Sequence, residues 1–425
     1  MSDLARSECG SVPEGEASER PASGDGALVH RSFGSRWWPS ISRPAIGGLL
    51  VGALTISIGV STVGAASDQA GSSVSSSTQK DAPEVPPVGG AVPGNGAFNA
   101  LTCPKTGTCV AVGAGAQGQA AVSTSKAGGS WTKRTLPNNA GTLQAVSCSS
   151  TTHCVAVGRG AILSSHTGGG QWQLHRPPAN TTLLGDTCTS ASNCLAVGIE
   201  PNLSGAYAGV ILRSTDGGEN WKWATLPQKS SEVGAVACPT ATRCIAVGAT
   251  VLTSDDGGAT WQQRGVTGGV VELQSIACSS TTHCVAIGQN PLGLSHKTAP
   301  ALAIETNDAG NTWQPETFPA GTATADQVTC PSATECFVSG PAISAAAGPT
   351  FEASGDGGHS WTKAQSPHGL SEITGISCPA SDKCALVGRS GKQAATAAST
   401  DAGAGTPADA TSSKAAWSTT TVSAT

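Results

Sequence analysis

Charge is scarce in this chain. Lys, Arg, Asp and Glu together make up 12% of the 425 residues, and the formal net charge is −5. A nucleic-acid partner needs a concentrated basic surface, so none is expected. Lys, Glu and Met are too few for a helical protein, whereas Gly (55) and Pro (25) are abundant. Short strands joined by turns suit that balance.

What the chain does have is a repeat. Seven cysteine pairs, each with five residues between its members, recur along it: Cys103/Cys109, Cys148/Cys154, Cys188/Cys194, Cys238/Cys244, Cys278/Cys284, Cys330/Cys336 and Cys378/Cys384. Each pair is followed by its own tryptophan: Trp131, Trp172, Trp221, Trp261, Trp313, Trp361 and Trp417. A period of 40 to 52 residues between first cysteines marks a repeat architecture. Each unit holds four short apolar runs; in the second they are LQAVSC, CVAVG, AILSS and QWQLH. Four strands form a small antiparallel sheet that cannot bury both faces alone. Radial stacking of such sheets gives an all-β, seven-bladed β-propeller over 98–425; an open β-solenoid is the structural rival.

The first cysteine of each pair ends a strand and the second begins the next, so a tight turn brings them to bridging distance. Each such disulfide is worth about 2 kcal/mol by loop closure. His153 and His283 precede cysteines and raise zinc as a rival, but five of the seven turns lack the histidine and the usual ligand spacing is absent. Neither a metal nor a cofactor is expected.

Disulfides require an oxidising compartment, and the N-terminal region carries a means of export. Residues 1–43 read as a polar, disordered cytoplasmic tail. Pro44–Ser67 is uncharged and long enough to span a bilayer as a helix, with Arg31, Arg36 and Arg43 before it and Trp37 and Trp38 at headgroup level. We read it as a single-pass signal anchor in the cell membrane with the remainder outside. Val63-Gly64-Ala65 offers the alternative of cleavage and secretion. Residues 68–97 form a Ser/Gly/Pro linker.

Before the tryptophans stand STDGGENW at Ser214–Trp221, SDDGGATW at Ser254–Trp261, TNDAGNTW at Thr306–Trp313 and SGDGGHSW at Ser354–Trp361. These resemble the Asp-box (BNR) motif of the propeller superfamily that includes sialidases, the sortilin ectodomain and photosystem II assembly-factor propellers. The resemblance implies a propeller fold and assigns Asp216, Asp256, Asp308, Asp356 and Asp401 to turns, not to catalysis. In the first two copies Lys126 and Thr167 replace the acid, and the seventh is interrupted after Asp401. A sialidase would carry a Phe-Arg-Ile-Pro motif, an arginine triad and a Tyr–Glu pair. The first is absent, Tyr207 lies in a Gly/Ala-rich loop, and no motif matches Arg213, Arg243 or Arg389 to the triad. No catalytic residue is assigned.

Strand alternation puts the disulfide turns and Asp-boxes on one side of the ring and the connections of unequal length on the other. Variable loops on a rigid scaffold are where recognition usually resides. Candidate binding residues there are Glu200, Tyr207, Glu232 and Glu272, with Arg213 as an available cation. Asp186 joins them because it interrupts a position held elsewhere by Leu101, Val146, Val236, Ile276, Val328 and Ile376. A carboxylate there is either hydrogen-bonded to a nearby turn or aimed at the central channel. Three functions follow: a non-catalytic protein- or glycan-binding module, a divergent glycoside hydrolase using face carboxylates, or an envelope spacer. Full pairing of the repeat cysteines leaves one thiol, Cys9. Alkylation of denatured, unreduced protein should therefore add one label by mass spectrometry, and fifteen labels would reject the disulfides.

Overall fold

A computed structural model describes residues 97–421 apart from 106–107, 116–118, 127–130, 179, 202–206, 228–229, 267–271, 290–300, 323, 343–347, 365, 368–369, 382, 391–392 and 400–416. The chain divides into two compact units, 1–79 and 80–425. The tail, the anchor and nearly all of the linker lie outside the described residues, and among these no helix is long and apolar enough to cross a membrane.

Seven four-stranded antiparallel sheets follow one another, each built from consecutive strands. The first strands are Ala97–Lys105, Leu143–Cys148, Thr182–Cys188, Val233–Ala237, Glu272–Cys278, Gln327–Thr329 and Glu372–Ala380. Each first strand lies against that of the next blade, and the seventh lies against the first. The ring is therefore closed, and the fold is a seven-bladed β-propeller; the open-row alternative is excluded. Closure is made between complete blades. Thr374 Oγ1 donates to the Phe98 carbonyl (2.7 Å), and Cys103 N–H donates to Ser377 Oγ (2.9 Å).

All seven disulfides are present, with Cα atoms 3.9–4.1 Å apart. Their placement has a geometric cause. Cys188 faces Cys194 and Cys278 faces Cys284 directly across the hairpin. The next pairs outward carry the ladder bonds, Thr189 N–H to Asn193 O and Ser279 N–H to His283 O. The cysteines thus take non-hydrogen-bonded positions, where facing strands come closest.

In one respect the bridges differ from the sequence reading, which makes them staples of turns on one side of the ring. The second cysteine of every pair is buried and belongs to an interblade core cluster: Cys109, Cys154, Cys194, Cys244, Cys284, Cys336 and Cys384. Cys244, Cys336 and Cys384 are only 1%, 0% and 3% exposed. The physical reason is that each of these residues lies at or one residue from the start of the second strand of its blade, which lies between two other strands and is covered on both faces by neighbouring blades. These sulfurs are therefore core packing atoms as well as cross-links, and no ligand on the surface can reach them.

The second strand of a blade, such as Cys154–Gly158, is buried along its whole length. The apolar core is divided into seven clusters, each between two adjacent blades. A blade's tryptophan packs into the cluster it shares with the blade before it, as Trp172 does on Val110 and Val112, Trp261 on Leu195, and Trp313 on Ile245. Trp417 begins the last strand of blade 7 and pairs with Ser399. The cluster between blades 6 and 7 contains Phe337 and Phe351, stacked 6.0 Å apart, with Leu370.

The glycine four residues after the second cysteine has a steric reason in every blade. A bulge in the first strand, for example between Leu273 and Ser275, carries a main-chain carbonyl over it. A Cβ on Gly113, Gly158, Gly198, Gly248, Gly288, Gly340 or Gly388 would fall against the carbonyls of Ala97, Thr142, Thr182, Glu232, Glu272, Thr324 and Glu372 respectively. Gly288→Ala is therefore expected to cost about 1–3 kcal/mol, the usual range for overpacking. Gly265→Ala, with nothing nearby, should change little; urea unfolding of the two variants checks this.

Candidate binding face

The two sides of the ring differ in construction. On one, the Asp-box turn locks onto the disulfide turn of its own blade: the N–H groups of Gly168, Gly217, Gly257, Ala309 and Gly357 donate to the carbonyls of Thr152, Ser192, Thr242, Thr282 and Thr334 at 2.7–2.8 Å, each pair within one blade. Within the box, Ser254 Oγ donates to Asp256 Oδ1 (2.7 Å) and accepts the N–H of Gly258 (2.8 Å). Asp256 also accepts the Thr260 N–H (2.9 Å) and hydroxyl (2.6 Å). Trp261 Nε1 closes the turn on the Gly258 carbonyl (3.0 Å). Burial alone would push the Asp256 carboxyl up, but donors from Thr260, Ser254 and Ala259 outweigh it and hold it at about 2. Asp216, Asp308 and Asp356 are likewise lowered.

Blade 2 makes the same turn without a carboxylate. Thr167 Oγ1 accepts the Gln171 N–H (2.8 Å), and Ser165 Oγ accepts that of Gly169 (3.0 Å). The aspartates are thus turn-formers. In blade 1 the strand register pairs Cys109 with Ser125, as Cys194 pairs with Ser214. The step from that serine to Trp131 is one residue shorter, so Lys126 does not stand at the aspartate's place. Asp401 lies outside the described residues.

On the opposite side the blades differ. In blade 3 the second and third strands, Cys194–Pro201 and Tyr207–Ser214, run three residues past Gly198 and pair Glu200 with Ala208 and Pro201 with Tyr207. Tyr207 is 46% exposed, an open aromatic at the tip. Gly209 N–H donates to Ser230 O (3.1 Å), which fastens this hairpin beside the segment leading to Glu232. Glu232 and Glu272 enter adjacent first strands at equivalent places. Burial, then the charge of Glu272, push the Glu232 carboxyl up. Among the described residues neither has an ionic partner. Glu372, at the same place in blade 7, is paired with Arg389 at 3.6 Å.

Four of the six candidates, Glu200, Tyr207, Glu232 and Glu272, therefore lie on the variable side, while two lie elsewhere. Arg213 is at the other end of its strand, where Nε donates to the Gly257 carbonyl of blade 4 (3.0 Å). It braces two blades and is remote from Tyr207. Asp186 bonds the neighbouring blade, not a turn: Ser147 Oγ, on the adjacent first strand, donates to its Oδ2 (2.6 Å), while Oδ1 is buried without a partner. Its equivalents Leu101, Val146, Val236, Val328 and Ile376 belong to interblade clusters. The carboxyl occupies an aliphatic position, and burial pushes it to about 7 against the lowering bonds from Ser147.

Braces like Arg213 recur and were not foreseen. Arg243 Nε donates to Ala309 O (2.7 Å), and His283 Nε2 bonds Gly357 O (2.7 Å). The signal available was a long polar residue just before the second cysteine.

No family model matches this sequence, and no curated protein matches it. Among solved structures the fold is similar to YCF48 bound to D1 peptide (TM-score 0.53, 16% identity, 71% of this chain and 93% of that one). It is also similar to YCF48 from Cyanidioschyzon merolae (0.51, 16%, 70% and 94%) and to the GH74 xyloglucanase from Xanthomonas campestris (0.53, 14%, 75% and 54%). At these identities the likeness establishes the propeller fold alone.

Asp186 makes stability depend on pH. Between about pH 4 and about pH 7 the folded chain holds a proton that the unfolded chain has released, so stability falls as pH rises through that window. Asp186→Asn should flatten this dependence. Thermal unfolding should show the variant more stable than the parent at pH 8, by roughly 2 °C or more, with the gap closing by pH 4.

Proposed function

We propose that this chain is a non-catalytic protein-binding propeller, held outside the cell membrane by the segment 44–67 and presenting the variable side to an extended, positively charged segment of a partner. The observation that carries this reading is the pair Glu232 and Glu272. These two partly buried carboxylates repel each other, and among the described residues no cation pairs with either, beside an exposed tyrosine on a fastened hairpin. Such a pair is held at a cost that an incoming Lys or Arg would relieve. A propeller of this fold bound to a peptide, as in the YCF48 structure, supports that use. The seven disulfides support placement in an oxidising compartment.

The enzyme reading keeps one specific point in its favour. A carboxyl raised by burial beside a second carboxylate is the arrangement of a general acid and its partner in glycoside hydrolysis. The two readings separate in one experiment. Full-length protein is screened against arrays of basic, neutral and acidic peptides and against a panel of glycans with reducing-sugar detection. Binding to basic peptides that falls about tenfold or more in Glu232→Gln/Glu272→Gln supports the proposal. Glycan hydrolysis lost in the same variant supports the enzyme instead. Neither activity in the parent would leave a structural spacer.

A further inference from the structure

A second group of ionisable residues lies at the outer part of the interface between blades 5 and 6, on the Asp-box side. Glu305 is the last residue but one of the third strand of blade 5, just before the box residue Thr306, Glu316 is on that blade's outer strand, and His359 belongs to the Asp-box of blade 6. One ligand atom from each lies within 4.8 Å of the others. Glu305 is 2% exposed. Its Oε1 takes the His359 Nδ1 contact at 2.8 Å and the Asn307 amide at 3.3 Å, while Oε2 is buried without any hydrogen-bond partner. A buried carboxylate oxygen with no donor is costly unless something positive completes it.

The other interfaces supply internal controls, because the same three positions are filled differently there. Between blades 2 and 3 they hold Ser164, His175 and Glu219. Ser164 Oγ bonds His175 Nε2 (2.8 Å) and donates to Glu219 (3.2 Å). Between blades 4 and 5, Arg264 Nε satisfies Thr253 (2.8 Å), and between blades 1 and 2, Arg134 Nε satisfies Thr124 (2.8 Å). Those sets close upon themselves. The set between blades 5 and 6 brings two carboxylates and an imidazole together and leaves the most buried oxygen open. A second constellation, His153 with Cys188 and Cys194, is not comparable, since both sulfurs are spent in a disulfide.

We propose that Glu305, Glu316 and His359 bind a divalent transition-metal ion of the zinc class, which ties blade 5 to blade 6. One imidazole nitrogen and two carboxylates suit Zn²⁺ better than Mg²⁺ or Ca²⁺, which favour all-oxygen shells with more ligands. His359 is about half exposed, so a fourth position stays open to water or to a partner's side chain. The ion supplies the positive charge that Glu305 Oε2 lacks.

The test uses the full chain without a polyhistidine tag, stripped with a chelator and with Cys9 alkylated. Titration calorimetry with Zn²⁺ should give one site per chain. Thermal unfolding should shift upward with Zn²⁺ and not with equal Mg²⁺ or Ca²⁺. Affinity should fall about tenfold or more in His359→Ala and in Glu316→Gln, with circular dichroism of both apo variants matching the parent. His175→Ala, in the corresponding set between blades 2 and 3, should bind as the parent does. Absence of a zinc-dependent shift in the parent, or zinc binding lost in His175→Ala and retained in His359→Ala, would overturn the assignment.

Discussion

The ring depends on the glycine three residues before the tryptophan in the Asp-box turns of blades 2 to 6. That residue has a positive φ (82° at Gly169, 90° at Gly218, 87° at Gly258, 86° at Gly310 and 111° at Gly358) and lies directly on the blade before it. A Cβ on Gly258 would meet Leu195, on Gly310 Ile245, and on Gly358 Val285. Only an unsubstituted residue permits both the turn and the approach. The serine or threonine that opens the box fixes this glycine through its N–H, and the aspartate fixes the serine. The tryptophan then closes over the glycine carbonyl and covers the interblade cluster. The motif is thus a device for joining neighbouring sheets, which explains why it belongs to the interfaces and why its carboxylates, saturated with donors, have no spare chemistry.

This fixes the division of labour between the sides. In blades 2 to 6 the disulfide turn is bonded to its own Asp-box, and each of these boxes rests on the preceding blade, so change on that side disturbs two blades at once. The connections on the other side bear no such duty. Blade 3 can extend its hairpin to Tyr207, and blades 4 and 5 can bring Glu232 and Glu272 together, without altering any contact that closes the ring. Freedom to vary and capacity to recognise arise from the same mechanical asymmetry.

The parts legible in the sequence are those that every blade must repeat. The cysteine spacing, the four apolar runs and the box spacing all come from constraints met seven times, so each copy corroborates the others. The spacing could pair Cys244 with Cys238 but could not show that Cys244 packs on a neighbouring blade, because burial on both faces is a property of the assembled ring. Asp186 was visible as a single break in a repeated apolar position. Its partner was not, because Ser147 is in another blade and nothing in the sequence states which side chains face each other across a blade boundary. Arg213 was misplaced on that account: it ends a strand whose other end is on the variable side, and eight residues of strand span the whole blade. Glu305, Glu316 and His359 were illegible, since each is ordinary in its own unit and acquires meaning only when two units meet.

Seven similar units must also find the right neighbours. A chain of near-equivalent sheets is open to slipped or skipped pairing, the characteristic failure of repeat proteins. The polar sets at two interfaces carry opposite patterns. Blade 3 offers Glu219 to His166 (3.1 Å) and to His175 on blade 2, whereas blade 6 offers His359 to Glu305 on blade 5. Were blade 3 to dock on blade 5, Glu219 would face Glu305 and Glu316, three carboxylates with no cation. Were blade 6 to dock on blade 2, His359 would face two further imidazoles. The ionisable residues therefore oppose both exchanges. Each interface thus gains part of its attraction from packing shared by all blades and its identity from a few ionisable residues peculiar to one pair.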